Sequence, residues 1–370
     1  MRLTEKNIHH YLLDKGYLNV QLFMEGDYTL EHHRSRNSIF RVYQEAGTPL
    51  FVKQLVDINT ENAYLMQKDA TAHHLIHHCD VYLKARKFIP NFIGYDPSNQ
   101  VLVTELFPTA KNLYEVILEH QTFSTSYAKK IAEILHSFHH PIQEELNHNS
   151  SLQFFNQQLP WIINVGEPQF MARHETNPVI KTILEHQDLV HNLDRLRLEW
   201  KITSLIHGDV KWVNFVLVGQ EEKKEEALKL IDWEIANVGD PLWDVAGVFQ
   251  SYLSSWVYSY NNGSLQHHKF SGQEYISIPS IQSGIQAFWK NYAQLKAYSD
   301  QEEQLALNQV TRMTAARLLQ TAFESNVQHP QLLPNTARII QLCQHLFNQP
   351  EQIISDLFGL NSTSYEKAAK

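Results

Sequence analysis

The chain has 370 residues, of which 43% are apolar and 19% charged; that is ample material for a sizeable core and excludes wholesale disorder. With 31 Lys and Arg against 40 Asp and Glu the net charge is −9, which argues against a protein that works by neutralising nucleic-acid phosphates. Two cysteines, Cys79 and Cys343, exclude a disulfide scaffold and a cysteine-based zinc site, and fit a reducing compartment.

At about 100–200 residues per domain, the length predicts two domains or one two-lobed unit. The N-terminus lacks the apolar segment of a signal peptide, and no stretch approaches the roughly 20 apolar residues that cross a bilayer. A soluble cytoplasmic protein with no membrane partner is therefore expected. Residues 4–16 read as a short helix, with Ile8, Leu12 and Leu13 on one face. From about 19 to 57 the pattern is that of strands, with a hairpin formed by 37–44 and 50–55 around the turn Glu45-Ala-Gly-Thr-Pro49. Residues 60–78 predict a helix. Two further strands, 92–95 and 101–107, flank the turn Asp96-Pro-Ser-Asn99. After Pro108 the pattern is mostly helical, most clearly over 127–139, 302–325 and 335–347, and the tail 361–370 is polar.

Inside the helical part lies one strand pair. Residues 205–218 run into the charged tip 220–226 and return as Ala227-Leu-Lys-Leu-Ile-Asp-Trp-Glu234. Four polar residues interrupt these apolar runs: His207, Asp209, Asn214 and Asp232. A hairpin puts Asn214 and Asp232 at the same open end, with Asp209 in the loop that feeds it. A carboxylate beside an amide oxygen is a hard-oxygen site suited to magnesium, which shares such ligands with phosphate. A second carboxylate nearby can accept a proton from a hydroxyl. Phosphoryl transfer needs those parts: a metal clamp and an oriented nucleophile.

The run His207-x-Asp209-x-x-x-x-Asn214, then Ile231-Asp232-Trp233-Glu234, then Gly239-Asp-Pro-Leu-Trp-Asp244, resembles the aminoglycoside phosphotransferase / choline kinase-like family. The resemblance covers roughly 20–345. It implies an α+β, bilobal protein-kinase-like fold, with a strand-rich N-lobe over 1–108 that binds nucleotide and a mostly helical C-lobe over 109–370 that carries catalysis and substrate. It implies Asp209 as catalytic base, His207 as a brace of the catalytic loop, and Asn214 and Asp232 as magnesium ligands. Asp240 and Asp244 would hold the loop through hydrogen bonds. ATP and Mg2+ are the implied cofactors.

The front lobe should then supply a phosphate-binding lysine. Lys53, alone among apolar neighbours in Leu50–Leu55, fits, and a buried ammonium needs an anion. Two carboxylates on the next helix are open as its partner: Asp69, which is in family register, and Glu61. The nucleotide loop would be Glu31–Asn37. It contains no glycine, so Ser35, Asn37 and nearby amides would have to meet phosphate. The adenine would hang from the backbone of Glu105-Leu-Phe107.

Other groupings have plainer readings. His73-His74 and His77-His78 form two i,i+4 pairs with no third ligand evident, and read as packing or solvated histidines. Tyr252, Trp256, Tyr258 and Tyr260 read first as a packed helix stripe, and alternatively as a cation–π surface for an amine. The function expected is transfer of the γ-phosphate of ATP to a hydroxyl of a small, amine-bearing molecule. Two alternatives are a Ser/Thr kinase for a precursor peptide in a lanthipeptide-like pathway and a nucleotide-binding pseudokinase. The expected partner is a small-molecule or peptide acceptor, not nucleic acid.

Overall fold

The computed structural model describes residues 1–45, 47–120, 122–142, 149–174, 176–220, 225–259 and 276–360. Most of the charged tip at 220–226, the tail 361–370 and Tyr260 lie outside these. In chain order come α1 (Ile8–Asp14), α2 (Val20–Glu25), β1 (Tyr28–Arg34), β2 (Asn37–Gln44), β3 (Leu50–Leu55), α3 (Thr60–His78), β4 (Phe92–Asp96), β5 (Val101–Glu105) and β6 (Lys111–Asn112). Then follow α4 (Leu113–His120), α5 (Thr125–Phe138), α6 (Pro168–His174), α7 (Pro178–Glu185), α8 (Gln187–Glu199), β7 (Ser204–Ile206), β8 (Phe215–Gln220), β9 (Glu225–Leu230) and β10 (Asn237–Gly239). The chain ends in α9 (Leu242–Ser259), α10 (Ile278–Lys296), α11 (Asp300–Asn326) and α12 (Pro334–Asn348). No described helix is long and apolar enough to cross a membrane.

The first compact unit is Met1–Asn112 together with Glu145–Phe155 and Asn214–Ala236. Its main sheet is antiparallel in the order β1-β2-β3-β5-β4, and a second sheet runs β6-β8-β9. Strand alternation divides the main sheet into two faces. Phe40, Val42, Leu50, Val52, Val101 and Val103 point one way and bury against Ile8, Tyr11 and Leu12 of α1. Ile39, Phe51, Lys53, Leu102 and Thr104 fall on the other face and line a cavity. The helix α3 closes part of that face, with Met66 and Ala70 packed on Leu55 and Leu102.

The second unit is Leu113–Glu144, Asn156–Val213 and Asn237–Lys370. Helices α5, α9, α10, α11 and α12 pack on one another around Trp243, Phe249, Tyr252, Phe288, Trp289 and Tyr292, all buried. The long α11 starts at a capping box: Ser299 accepts from the Glu302 amide, and the Glu302 side chain accepts in return from the Ser299 amide.

Five local expectations need correction. Val20–Glu25 is helical rather than extended, because Asn19 Oδ1 accepts from the Gln21 amide and Gln21 bonds Glu25 one turn on. The expected loop Glu31–Asn37 is strand β1 up to Arg34, since pairing continues to Arg34 opposite Ser38 and leaves a tight turn at Ser35-Arg36. The strand that begins at Val101 stops at Glu105, where pairing with Leu50 ends, not at Phe107. The run 205–218 is not one strand. Its first part, β7, pairs with β10, the chain turns at Gly208 (φ +80°), and β8 begins only at Phe215. The returning strand likewise ends at Leu230, and Asp232 beyond it has the left-handed φ of +66°.

Candidate active site

In the first unit the lysine expected to meet phosphate lies on the cavity face of β3. Lys53 is buried, and its Nζ donates to Asp69 Oδ2 at 3.0 Å, Glu234 Oε2 at 3.1 Å and Asp232 Oδ1 at 3.3 Å. Burial alone would lower its pKa, but the three carboxylates outweigh that and raise it, so the ammonium stays charged. Asp69 is the carboxylate of α3 that meets it; Glu61 sits in the first turn of that helix. Glu234 also accepts from the Arg36 guanidinium. Its carboxyl is held below the usual range: burial opposes this, but Lys53 and Arg36 prevail.

Asn214 and Asp232 come together as the β8–β9 pairing implies, with the Ile231 amide donating to the Asn214 carbonyl at 2.9 Å. They line the same cavity, about 370 Å3 in volume, as Lys53, Asp69, Glu105 and Phe107. Both present neutral or anionic oxygen, the donor chemistry that magnesium takes. Asn37 also lines it, and its Oδ1 is buried with no hydrogen-bond partner, an amide still able to serve a ligand. Ser35 is not among the lining residues. Lys229 lies over the Phe107 ring at 5.3 Å.

In the second unit the loop after β7 is gripped through its backbone. The amides of His207 and Gly208 donate to the two oxygens of Asp244, at 2.6 and 2.8 Å. Asp244 is fully buried, which by itself raises its pKa, yet hydrogen bonds and charge from His139 and the His207 amide hold the carboxyl low. Arg317 of α11 donates to the carbonyls of Gly208 and Val210, both at 3.0 Å, and stacks over Trp243 at 5.1 Å. Trp243 Nε1–H also donates to the Gly208 carbonyl, at 3.2 Å. A Cβ on Gly247 would stand 2.6 Å from the Val210 oxygen, so α9 can approach the loop only with glycine there. His207 Nδ1 accepts from the Asp209 amide at 3.3 Å. Asp209 itself pairs with Lys211 at 2.7 Å. Asp240 stands just before the first turn of α9, where its side chain accepts from the Leu242 amide at 3.0 Å.

Sequence reasoning missed Arg36, Glu234, His139 and Arg317. Glu234 carried a usable signal, a second acid two residues after Asp232. Arg317 carried none, since it lies more than a hundred residues from the loop. The aromatic stripe is packing at Tyr252, which is buried against Phe123 and Trp212 at 4.8 Å from each. On α3, His77 Nε2 bonds the Pro90 carbonyl and His78 Nδ1 the His74 carbonyl, both at 2.9 Å.

No protein-family model and no curated protein matches the sequence. Solved structures do resemble it. A choline kinase from Cryptosporidium parvum Iowa II aligns with a TM-score of 0.54 at 14% identity, over 95% of this chain and 97% of that one. APH(2″)-IIa, in a ternary complex with streptomycin and ATP, aligns with a TM-score of 0.51 at 13% identity, over 94% and 99%. The GDP and kanamycin complex of APH(2″)-IIIa aligns with a TM-score of 0.50 at 12% identity, over 92% and 98%. The chain therefore has the kinase-like fold shared by choline kinases and these phosphotransferases.

Proposed function

We propose that the protein transfers the γ-phosphate of magnesium-bound ATP to a hydroxyl of a small acceptor. The first unit's cavity carries this reading, because it gathers a charged buried lysine, two hard-oxygen residues and the strand-exit segment Glu105–Phe107 in one place. Lys53, held by Asp69, neutralises phosphate. Asn214 and Asp232 would hold magnesium, which when bound supplies positive charge to the phosphate oxygens. The adenine lies along the backbone of Glu105–Phe107, and Asn37 would meet the phosphates through Nδ2–H, the donor end of its amide. Asp209 accepts the proton of the acceptor hydroxyl, and the backbone clamps on its loop fix where it stands. Catalysis is then positioning plus charge neutralisation.

For the acceptor we propose the second unit's cavity of about 220 Å3, bounded by Lys211 and Trp212 of the loop, Ser251, Tyr258 and Glu324. It is smaller than the roughly 300–1,000 Å3 of drug-sized sites, which favours a small molecule over a peptide. Glu324 favours an acceptor that carries an amine.

The test is ADP release with Mg2+ and ATP across amino alcohols, amino sugars, neutral sugars and Ser/Thr peptides, alongside calorimetry of Asp232→Ala. Turnover is expected with an amine-bearing hydroxyl compound, and loss of the magnesium enhancement of ATP binding in the variant. A peptide outperforming every small molecule moves the acceptor to the peptide reading. Magnesium-dependent ATP binding without turnover of any acceptor leaves a pseudokinase.

A further inference from the structure

We infer that Arg36 is a polyphosphate contact of the first unit's cavity, clamped beside Lys53 by Glu234, and that it replaces the backbone amides a glycine-rich loop would offer. This deepens the nucleotide reading above and rests on it.

A loop that holds phosphate with its backbone needs successive N–H groups pointing into one concavity, which takes residues in left-handed conformations, usually glycine. The hairpin from Tyr28 to Gln44 has no glycine and no residue with positive φ. At its turn the Ser35 amide is already spent on the Asn37 carbonyl at 2.9 Å. The turn has little backbone to give a polyanion.

It has Arg36 instead. Arg36 lines the cavity alongside Asn37 and Lys53. One carboxylate joins the two cations: Glu234 Oε1 accepts from Arg36 Nη2, and Glu234 Oε2 accepts from Lys53 Nζ at 3.1 Å. Side by side without Glu234 the two cations would repel; bridged by it, both keep their charge at the mouth of one site. Glu234 is 12% exposed and fixed, whereas Arg36 is 58% exposed. The bond to Glu234 uses one nitrogen of a five-donor fork, which leaves donors for phosphate oxygens. Charge points the same way. Lys53 is shared among Asp69, Asp232 and Glu234, so a second protein cation beside the proposed magnesium would favour a bound polyphosphate.

An ordinary surface ion pair would contribute little and affect no ligand. Calorimetry with Mg-ADP and with adenosine separates the two cases in wild type, Arg36→Ala, Arg36→Lys, Glu234→Gln and the Arg36→Ala/Glu234→Gln double variant. Arg36→Ala is expected to weaken ADP about 10- to 100-fold, the range for a charge-assisted bond, and to leave adenosine within about twofold. Arg36→Lys should recover part of the loss, as a point charge without the fork. Glu234→Gln should weaken ADP less, and the double variant should lose less than the product of the single losses. Unchanged ADP binding in Arg36→Ala, or equal losses for ADP and adenosine, would overturn the inference and leave the nucleotide reading standing. Wild-type protein that binds neither compound would overturn both.

Discussion

The two units use buried charge in opposite ways. Around Lys53 in the first unit, side chains bond side chains: one ammonium faces three carboxylates, and Asp232 and Arg36 are substantially exposed. Around the loop 207–210 in the second, ionised side chains bond backbone: Asp244 takes two amides and Arg317 takes two carbonyls, with Asp244, Arg317, His207 and Val210 buried and Gly208 half-buried. The first arrangement can exchange partners when a polyanion and a cation enter, because each charge has an alternative neighbour. The second cannot, since a backbone group buried without its partner has nowhere else to turn. One region has charges with alternative partners, and the other has charges committed to backbone.

The sharpest way to break that contrast is at Asp209, the one carboxylate of the held loop assigned to chemistry. Asp209→Asn should lower kcat by about two to four orders of magnitude while leaving Mg-ATP affinity within a few-fold. Steady-state assays able to see a thousandfold loss check it, and a variant of near wild-type activity would remove the base assignment.

Next comes Arg317→Met, which keeps the bulk of the side chain and removes both donors. The buried Val210 carbonyl then loses its partner, at about 1–3 kcal/mol, while the Gly208 carbonyl keeps its bond from Trp243 Nε1–H. Urea unfolding should show a stability loss of about 1–3 kcal/mol together with reduced kcat. Stability within about 0.5 kcal/mol of wild type would mean the loop does not depend on this clamp.

A smaller effect concerns Asp240. Burial pushes its carboxyl up to about 6, with the Leu242 amide and Lys201 offsetting only part. Between the unfolded value near 4 and the folded value, the folded protein binds the extra proton. Its contribution is therefore fully present below about pH 4 and is lost as pH rises through 6. Asp240→Asn keeps an acceptor for the Leu242 amide and removes the titration. Denaturant midpoints at pH 4.5 and 7 should differ less in the variant, by about 2 kcal/mol in stability. An unchanged pH slope would show that Asp240 does not titrate in this window.

The smallest effect tests the pairing of Lys53. Asp69→Asn should cut activity about tenfold, whereas Glu61→Gln should stay within about twofold, because of the two α3 carboxylates it is Asp69 that meets the lysine. Equal losses in the two variants would contradict the pairing.

Much of this was legible in the chain because the information is local. Alternation in Leu50–Leu55 puts Lys53 and Phe51 on one face and Val52 on the other, and the returning strand after the charged tip sets Asp232 against Asn214. Capping residues at Asn59 and Ser299 mark helix starts in the same local way. Loop conformation was not local. The run 205–218 reads as one apolar strand, yet β7 finds its partner in Asn237–Gly239 and turns out at Gly208, a choice made by hydrogen bonds to Asp244 and from Arg317. Residue types and their spacing along one strand or helix thus determined which side chains are candidates for the chemistry. Only tertiary structure decided what holds them: that Asp69 rather than Glu61 meets Lys53, that Glu234 bridges Lys53 to Arg36, and that an arginine more than a hundred residues on clamps the loop. Such contacts depend on where distant segments of chain come to rest, and a single sequence carries no periodic or adjacent signal for that.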